Sequence, residues 1–165
     1  MITSGEMTVC FSNSNITFEG LGVTLKMENT EFNFWQDHSS NYLEMAFRMD
    51  HTGIVEKPDG HAKKTGECGD TVEMFLSIEN DHIKHVSFVI EGCRNTHACA
   101  NTVSALVEGK ETDAAWEITP EDVIQFLETL PKENHHCAEL AVGAFYLALS
   151  NYQENKRSGW KKIYR

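Results

Sequence analysis

The sequence predicts an α+β domain built on a small, mostly antiparallel three-stranded sheet packed with helices. Three observations carry this expectation. Residues 72–79 and 86–90 alternate apolar and polar side chains with the period of a half-buried strand, and the turn-forming run Glu79-Asn80-Asp81-His82 stands between them. From residue 96 onward apolar residues recur every three or four positions, the period of helices buried along one face. The 165 residues, 41% hydrophobic and 10% aromatic, hold apolar material for one core, so no second domain is required.

Taken in order, residues 1–30 are rich in Ser, Thr, Asn and Gly, with short apolar pieces such as 21–25 and no sustained period. They are expected to be a poorly ordered or strand-like extension. The folded domain is expected over residues 31–155. Trp35, Ser39, Tyr42, Met45, Ala46 and Met49 recur at helical spacing and predict one amphipathic helix ending near Asp50. Residues 51–60 read as a loop closed by Pro58-Asp59-Gly60. A short strand near 63–67 would add a third member to the hairpin of 72–79 and 86–90. Cys68 then falls at the end of one strand and Cys93 just past the end of another, on loops held by the sheet.

Residues 96–107 place Cys99, Val103, Leu106 and Val107 on one helical side, and 112–116 read as a short turn or helix. Thr119 is a cap, Pro120 the first helical residue and Asp122 the acidic third position of a helix carrying Val123, Ile124, Phe126, Leu127 and Leu130, which Pro131 ends. Cys137, Leu140, Ala141, Ala144, Phe145, Ala148 and Tyr152 form a long stripe, so Cys137 belongs in the first turn of a last helix. Residues 156–165, rich in Lys and Arg, read as a solvated tail.

The formal charge of −11 argues against nucleic acid, because phosphate binding depends on clustered Lys and Arg. A basic protein patch is the more plausible partner. Five cysteines are an odd number, and the first residues lack a basic start followed by a long apolar run. No stretch approaches the 18 or so apolar residues of a membrane span. A cytoplasmic protein with reduced thiols is expected, without membrane attachment.

Three cysteines stand in short polar contexts: Gly66-Glu67-Cys68-Gly69-Asp70, Glu91-Gly92-Cys93-Arg94-Asn95 and His135-His136-Cys137-Ala138. Between them lie 24 and 43 residues, too many for a local finger, so only a folded domain brings them together. Thiolates bind soft metals and iron-sulfur clusters, and Asp70 or His136 would complete a four-ligand set. Asp70 lies two residues beyond Cys68, so both side chains can face one metal. At a helix N-terminus Cys137 would feel the positive end of the helix dipole, which favours its thiolate. Gly66, Gly69 and Gly92 allow the close backbone approach a cluster needs. Cys10 and Cys99 read as ordinary thiols, and His97 and His135 as surface residues. The pair His82-x-x-His85 need not share a face and is not read as a metal site. Gly20-Leu21-Gly22 lacks the rest of a nucleotide-loop fingerprint.

In this order, Cys68-Gly69-Asp70, Gly92-Cys93 and His136-Cys137 opening a helix resemble the NifU/IscU-type iron-sulfur cluster assembly scaffold, in its N-terminal NifU form. The resemblance extends over most of the chain and includes Lys57-Pro58-Asp59-Gly60 on the approach to the first ligand loop and Val107-Glu108-Gly109-Lys110 after the first post-cysteine helix. It implies the NifU/IscU fold and a transient [2Fe-2S] cluster held on Cys68, Cys93 and Cys137. Asp70 is then the exchangeable fourth ligand and His136 its alternative. Implied partners are a cysteine desulfurase that supplies sulfur and apo-proteins that accept the cluster. The protein would be a scaffold with no turnover chemistry of its own. Zinc-binding relatives imply an alternative, a sulfur acceptor holding Zn2+ on the same residues and carrying a persulfide. Leu130-Pro131-Lys132-Glu133-Asn134 departs from the Leu-Pro-Pro-Val-Lys that precedes the His-Cys pair in members served by a dedicated Hsp70-type chaperone. That departure counts against such a chaperone as a partner.

Overall fold

The computed structural model describes residues 16–17, 24–25 and 33–163. Residues 1–34 and 35–165 form two compact units. In the first, β1 (Ile16–Thr17) and β2 (Thr24–Leu25) pair antiparallel, Ile16 opposite Leu25 and Thr17 opposite Thr24. The rest of the expected extension, Cys10 included, lies outside the described residues.

The alternating segments of the second unit form the hairpin expected of them. Strands β3 (Gly60–Thr65), β4 (Thr71–Glu79) and β5 (His82–Glu91) make one antiparallel sheet in that order. Asn80 and Asp81 both take positive φ, 53° and 61°, the backbone of a two-residue turn whose twist matches the flanking strands. Asn and Asp tolerate that region better than other side chains. β3 starts and stops earlier than the expected 63–67, pairing from Gly60 opposite Leu76 to Thr65 opposite Thr71. Gly60 has a packing reason to be there: a Cβ on it would lie 2.4 Å from the Ala148 carbonyl oxygen of the helix that crosses β3.

The helices of this unit differ from expectation at four places. The single helix expected from Trp35 to about Asp50 is two, α1 (Phe34–Asp37) and α2 (Ser40–Phe47). Ser39 interrupts it in an extended conformation. Its hydroxyl accepts from the Tyr42 amide at 3.1 Å and donates to the Leu127 carbonyl at 2.7 Å, while its amide donates to Thr129 Oγ1 at 2.9 Å. Only Tyr42, Met45 and Ala46 of the proposed stripe are buried; Trp35 and Met49 are 65% and 63% exposed. Helix α3 (Arg94–Val107) begins two residues ahead of expectation, directly after Cys93. Beyond a 3-10 turn at Ala114–Glu117, α4 (Pro120–Leu127) carries the expected capping box between Thr119 and Asp122. It stops before Leu130, because Glu128 turns to φ 59° and delivers Thr129 to Ser39. A second 3-10 turn, Lys132–Asn134, leads into α5 (His135–Ile163), which continues through most of the tail expected to be solvated. There Lys156 pairs with Asp81 of the hairpin turn, and the Tyr152 hydroxyl donates to the same carboxylate at 2.9 Å.

Helix α5 lies over β3 and β4, and α3 packs on α5, β5 and α2. The residues these elements bury, among them Val72, Met74, Leu76, Val86, Phe88, Val103, Phe145 and Leu149, are 0% exposed. Each large apolar side chain so buried contributes about 1.5–3 kcal/mol. Residues 51–53 run along the free edge of β5: the His51 carbonyl accepts from the Phe88 amide at 2.9 Å and the Gly53 amide donates to the Phe88 carbonyl at 3.0 Å. Thr65, Thr71 and Glu91 stand opposite one another in register, so the loops after β3 and β5 leave the sheet at the same end.

Candidate functional site

That end of the sheet gathers the chemistry. Between β3 and β4 the chain makes a tight loop in which the Gly66 amide donates to the Asp70 carbonyl at 2.8 Å and the Gly69 amide to the Gly66 carbonyl at 3.1 Å. Gly69 sits at φ 86°, a conformation that favours glycine. The loop carries Cys68, exposed, in an open cleft shared with Lys64, His136, Glu139 and Leu140. Asp70 turns the other way, toward the start of α3. Its Oδ2 accepts from the Cys93 amide at 3.0 Å and from the Thr96 hydroxyl at 2.6 Å. Cys93 is the N-cap of α3 and makes no side-chain cap bond of its own, so Asp70 caps that helix from another element. Gly92 is what lets the carboxylate in: a Cβ there would lie 2.6 Å from Asp70 Cγ and Oδ2.

Cys137, in the first turn of α5, completes the group. Its Sγ lies 4.0 Å from Cys93 Sγ and 3.5 Å from His136 Nε2. Asp70, Cys93 and Cys137 each offer a ligand atom within 4.8 Å of the others. Cys68 stands on the adjoining loop and is not part of that mutual group, though its charge acts on the Cys137 thiol.

Three thiol-bearing elements and a carboxylate at one rim match the donor set of a soft or borderline metal. The family model described as the NifU-like N terminal domain matches residues 39–158. The chain belongs to that family. Among curated relatives, the iron-sulfur cluster assembly protein IscU of Plasmodium falciparum is 38% identical over 87 residues, 53% of this chain and 53% of its own length. The chain thus aligns with about half of that relative. The iron sulfur cluster assembly protein 1 of Trachipleistophora hominis is 28% identical over 129 residues, 74% of this chain and 93% of the relative. A crystal structure of a NifU-like N-terminal protein from Brucella abortus superposes with a TM-score of 0.59 at 19% identity, covering 74% of this chain and 99% of that one, which shows the shared fold.

In this family member the electrostatics of the rim are uneven. The Cys93 amide and the Thr96 hydroxyl hold the Asp70 carboxyl below its ordinary range. Cys137 behaves opposite to the expectation from its helix position: burial pushes its thiol up to about 11, and the neighbouring Cys93 and Cys68 add to the rise against a lowering contact from Thr96. A helix N-terminus is worth about 0.3–1 kcal/mol, up to ~2 when partly buried, and full burial of the sulfur outweighs it. Binding of a metal would supply the positive charge that this thiolate lacks.

The remaining expected residues separate cleanly. Cys99 is 0% exposed inside α3, and burial drives its thiol well above the ordinary range. His97 lines a cleft with Cys93 but its ring bonds to Asn101 at 3.2 Å and to Thr52 at 3.3 Å, outside the ligand group, and burial lowers its pKa. His135 opens α5 and is not a member of the ligand group. Thr96 was not legible as a site residue; its place three positions after an N-cap cysteine was the available signal, since that is where a capping partner's amide and side chain sit.

Proposed function

We propose that this chain is a scaffold on which an iron-sulfur cluster is assembled with sulfur from a cysteine desulfurase and from which it passes to apo-proteins. The observation that carries the reading is the convergence of Asp70, Cys93 and Cys137 within 4.8 Å, beside the exposed Cys68, at an open end of the sheet. Thiolates hold iron firmly, and a carboxylate oxygen exchanges more readily. Three of one and one of the other suit a [2Fe-2S] cargo that must be both retained and released. Names of relatives in Plasmodium falciparum and Archaeoglobus fulgidus, which describe cluster assembly and a scaffold, support the same reading. The role requires no turnover chemistry of the chain itself. The charge of −11 favours docking on a basic desulfurase surface, and Lys132-Glu133-Asn134 argues against a dedicated Hsp70-type chaperone. Reduced thiols fit a cytoplasmic setting; among the described residues no helix is long and apolar enough to cross a membrane.

One observation favours a second reading. Asp70, Cys93 and Cys137 are close enough to hold a single Zn2+, with Cys68 left exposed to carry a persulfide from the desulfurase. Protein purified without oxygen decides between them by metal and sulfide content with a visible spectrum. Iron, sulfide and charge-transfer bands are expected, each lost in Cys68→Ala, Cys93→Ala and Cys137→Ala and kept in Cys10→Ala. A colourless protein with stoichiometric zinc supports the second reading, and wild-type metal content in any of the three variants overturns the ligand assignment.

A further inference from the structure

A second group of ligating side chains lies on the other part of β5. His51, on the segment along the strand's edge, His85 in the strand and Glu108 just past the end of α3 each offer a ligand atom within 4.8 Å of the others. His85 Nδ1 is 2.9 Å and His51 Nδ1 3.4 Å from Glu108 Oε1, and the two imidazoles stack 5.2 Å apart. Bonds of 2.0–2.1 Å at tetrahedral angles place ligand atoms about 3.3 Å apart, near the spacing of this group, and one ion can take all three once His51 Nδ1 releases the Val86 carbonyl at 2.7 Å and Glu108 Oε1 shares the lone pairs that now accept from the Val86 amide at 2.9 Å. The group is graded in exposure: side-chain accessibility is 3% for His51, 27% for Glu108 and 44% for His85. One side is therefore buried and the other open to solvent.

An orphaned atom gives the group its direction. His51 is 2% exposed, and its Nδ1 lies 2.7 Å from the Val86 carbonyl, which can only accept, so Nδ1 carries the proton. Nε2 is then a buried nitrogen with no hydrogen-bond partner. The nearest charged atom is Asp50 Oδ2 at 3.6 Å, another acceptor. If a cation takes Nδ1, the ring becomes the other tautomer and its Nε2–H points at Asp50. That is the carboxylate–histidine–metal relay in which the second ring nitrogen of a ligand donates to a carboxylate. Asp50 is already fixed for the task by Arg48, at 2.7 Å and 2.8 Å. The change costs the bond to Val86 and leaves the ring neutral, with one proton relocated from Nδ1 to Nε2. On the solvent side His85 moves its own proton to the exposed nitrogen at no burial cost. Asp50, Glu108 and Arg48 together leave a net negative surrounding.

We infer that His51, His85 and Glu108 form a site for a borderline first-row divalent cation, of the Zn2+ or Fe2+ class, distinct from the cysteine site. Two imidazoles and a carboxylate with open positions are the donor set such ions take. From His85 to the end of β5 at Glu91 is six positions of strand, roughly 20 Å at strand rise, and Cys93 lies beyond it, so one ion cannot serve both groups.

The test uses the full chain carrying Cys68→Ala, Cys93→Ala and Cys137→Ala, titrated calorimetrically with Zn2+, so that its outcome is independent of the cluster reading. One equivalent is expected, weakened at least tenfold by a further His85→Ala and unchanged by His82→Ala, a histidine at the start of the same strand. Imidazole 15N spectra of the wild-type chain give a second readout that needs no variant: zinc should move the His51 proton from Nδ1 to Nε2. No zinc binding by the triple cysteine variant, equal affinity after His85→Ala, or His51 nitrogens that do not respond to zinc would each overturn the inference.

Discussion

Replacing Asp70 by alanine should lower the stability of the metal-free protein and lengthen the life of a bound cluster, two effects of opposite sign from one carboxylate. Its stabilising role follows from the two bonds it accepts at the start of α3, 3.0 Å from the Cys93 amide and 2.6 Å from the Thr96 hydroxyl. Loss of an N-cap acceptor costs about 0.5–2 kcal/mol. Thr96 is 0% exposed, and a buried hydroxyl without an acceptor costs about 1–3 kcal/mol. Cys93 Sγ, 3.4 Å away, recovers part of this, and water reaches the half-buried carboxylate position. A net loss of about 2 kcal/mol remains, a fall of roughly 5–10 °C in Tm for a domain of this size. Asp70→Asn keeps an acceptor oxygen and should lose about 1 kcal/mol or less. The pH dependence has a definite sign. The folded carboxyl is depressed below its unfolded value of about 3.9, so its contribution is complete above that pH and disappears as pH falls through the lower folded value. Urea unfolding in chelator and reductant should show a gap between wild type and Asp70→Ala that is flat from pH 8 to 5 and closes below about pH 4. A gap under about 0.5 kcal/mol at pH 7, or one unchanged in acid, refutes the capping role. In a transfer assay the variant should deliver its cluster more slowly; immediate loss of the cluster would make Asp70 an indispensable ligand instead.

Two further outcomes follow from the same rim. Gly92→Ala places a Cβ 2.6 Å from the Asp70 carboxylate and should cost about 1–3 kcal/mol, less when Asp70 is already alanine; additivity of the two in a double-mutant cycle of urea unfolding would contradict the close packing. Iodoacetamide on the metal-free chain at pH 8 should modify the exposed Cys68 first, Cys137 slowly and Cys99 least, with Cys137 accelerating as pH rises toward its value of about 11; equal rates at Cys68 and Cys137, read by peptide mass, would refute the burial argument.

The sequence by itself determined the parts of this protein that local chemistry controls. Alternation in Val72, Met74, Leu76 and in Val86, Phe88, Ile90 dictates strands because a one-residue slip would turn every apolar side chain to the wrong face. Asn80-Asp81 dictates the hairpin turn, and Thr119-Pro120 with Asp122 the start of α4, because a few backbone groups and adjacent side chains settle each. The cysteine contexts were legible for a similar reason: glycines and a carboxylate within two residues of a thiol leave few other uses. What only the tertiary structure decided involved partners far along the chain. Ser39 breaks a helix because Leu127 and Thr129 are there to bond it. Cys137 has a raised thiol pKa because the domain closes over it, and Asp70 caps α3 from outside the helix because the sheet register brings its carboxylate to the Cys93 amide. His51, His85 and Glu108 meet across three elements, and no periodicity records such a meeting. A local bond is written in the spacing of its residues, whereas burial and long-range contacts depend on where the rest of the chain goes.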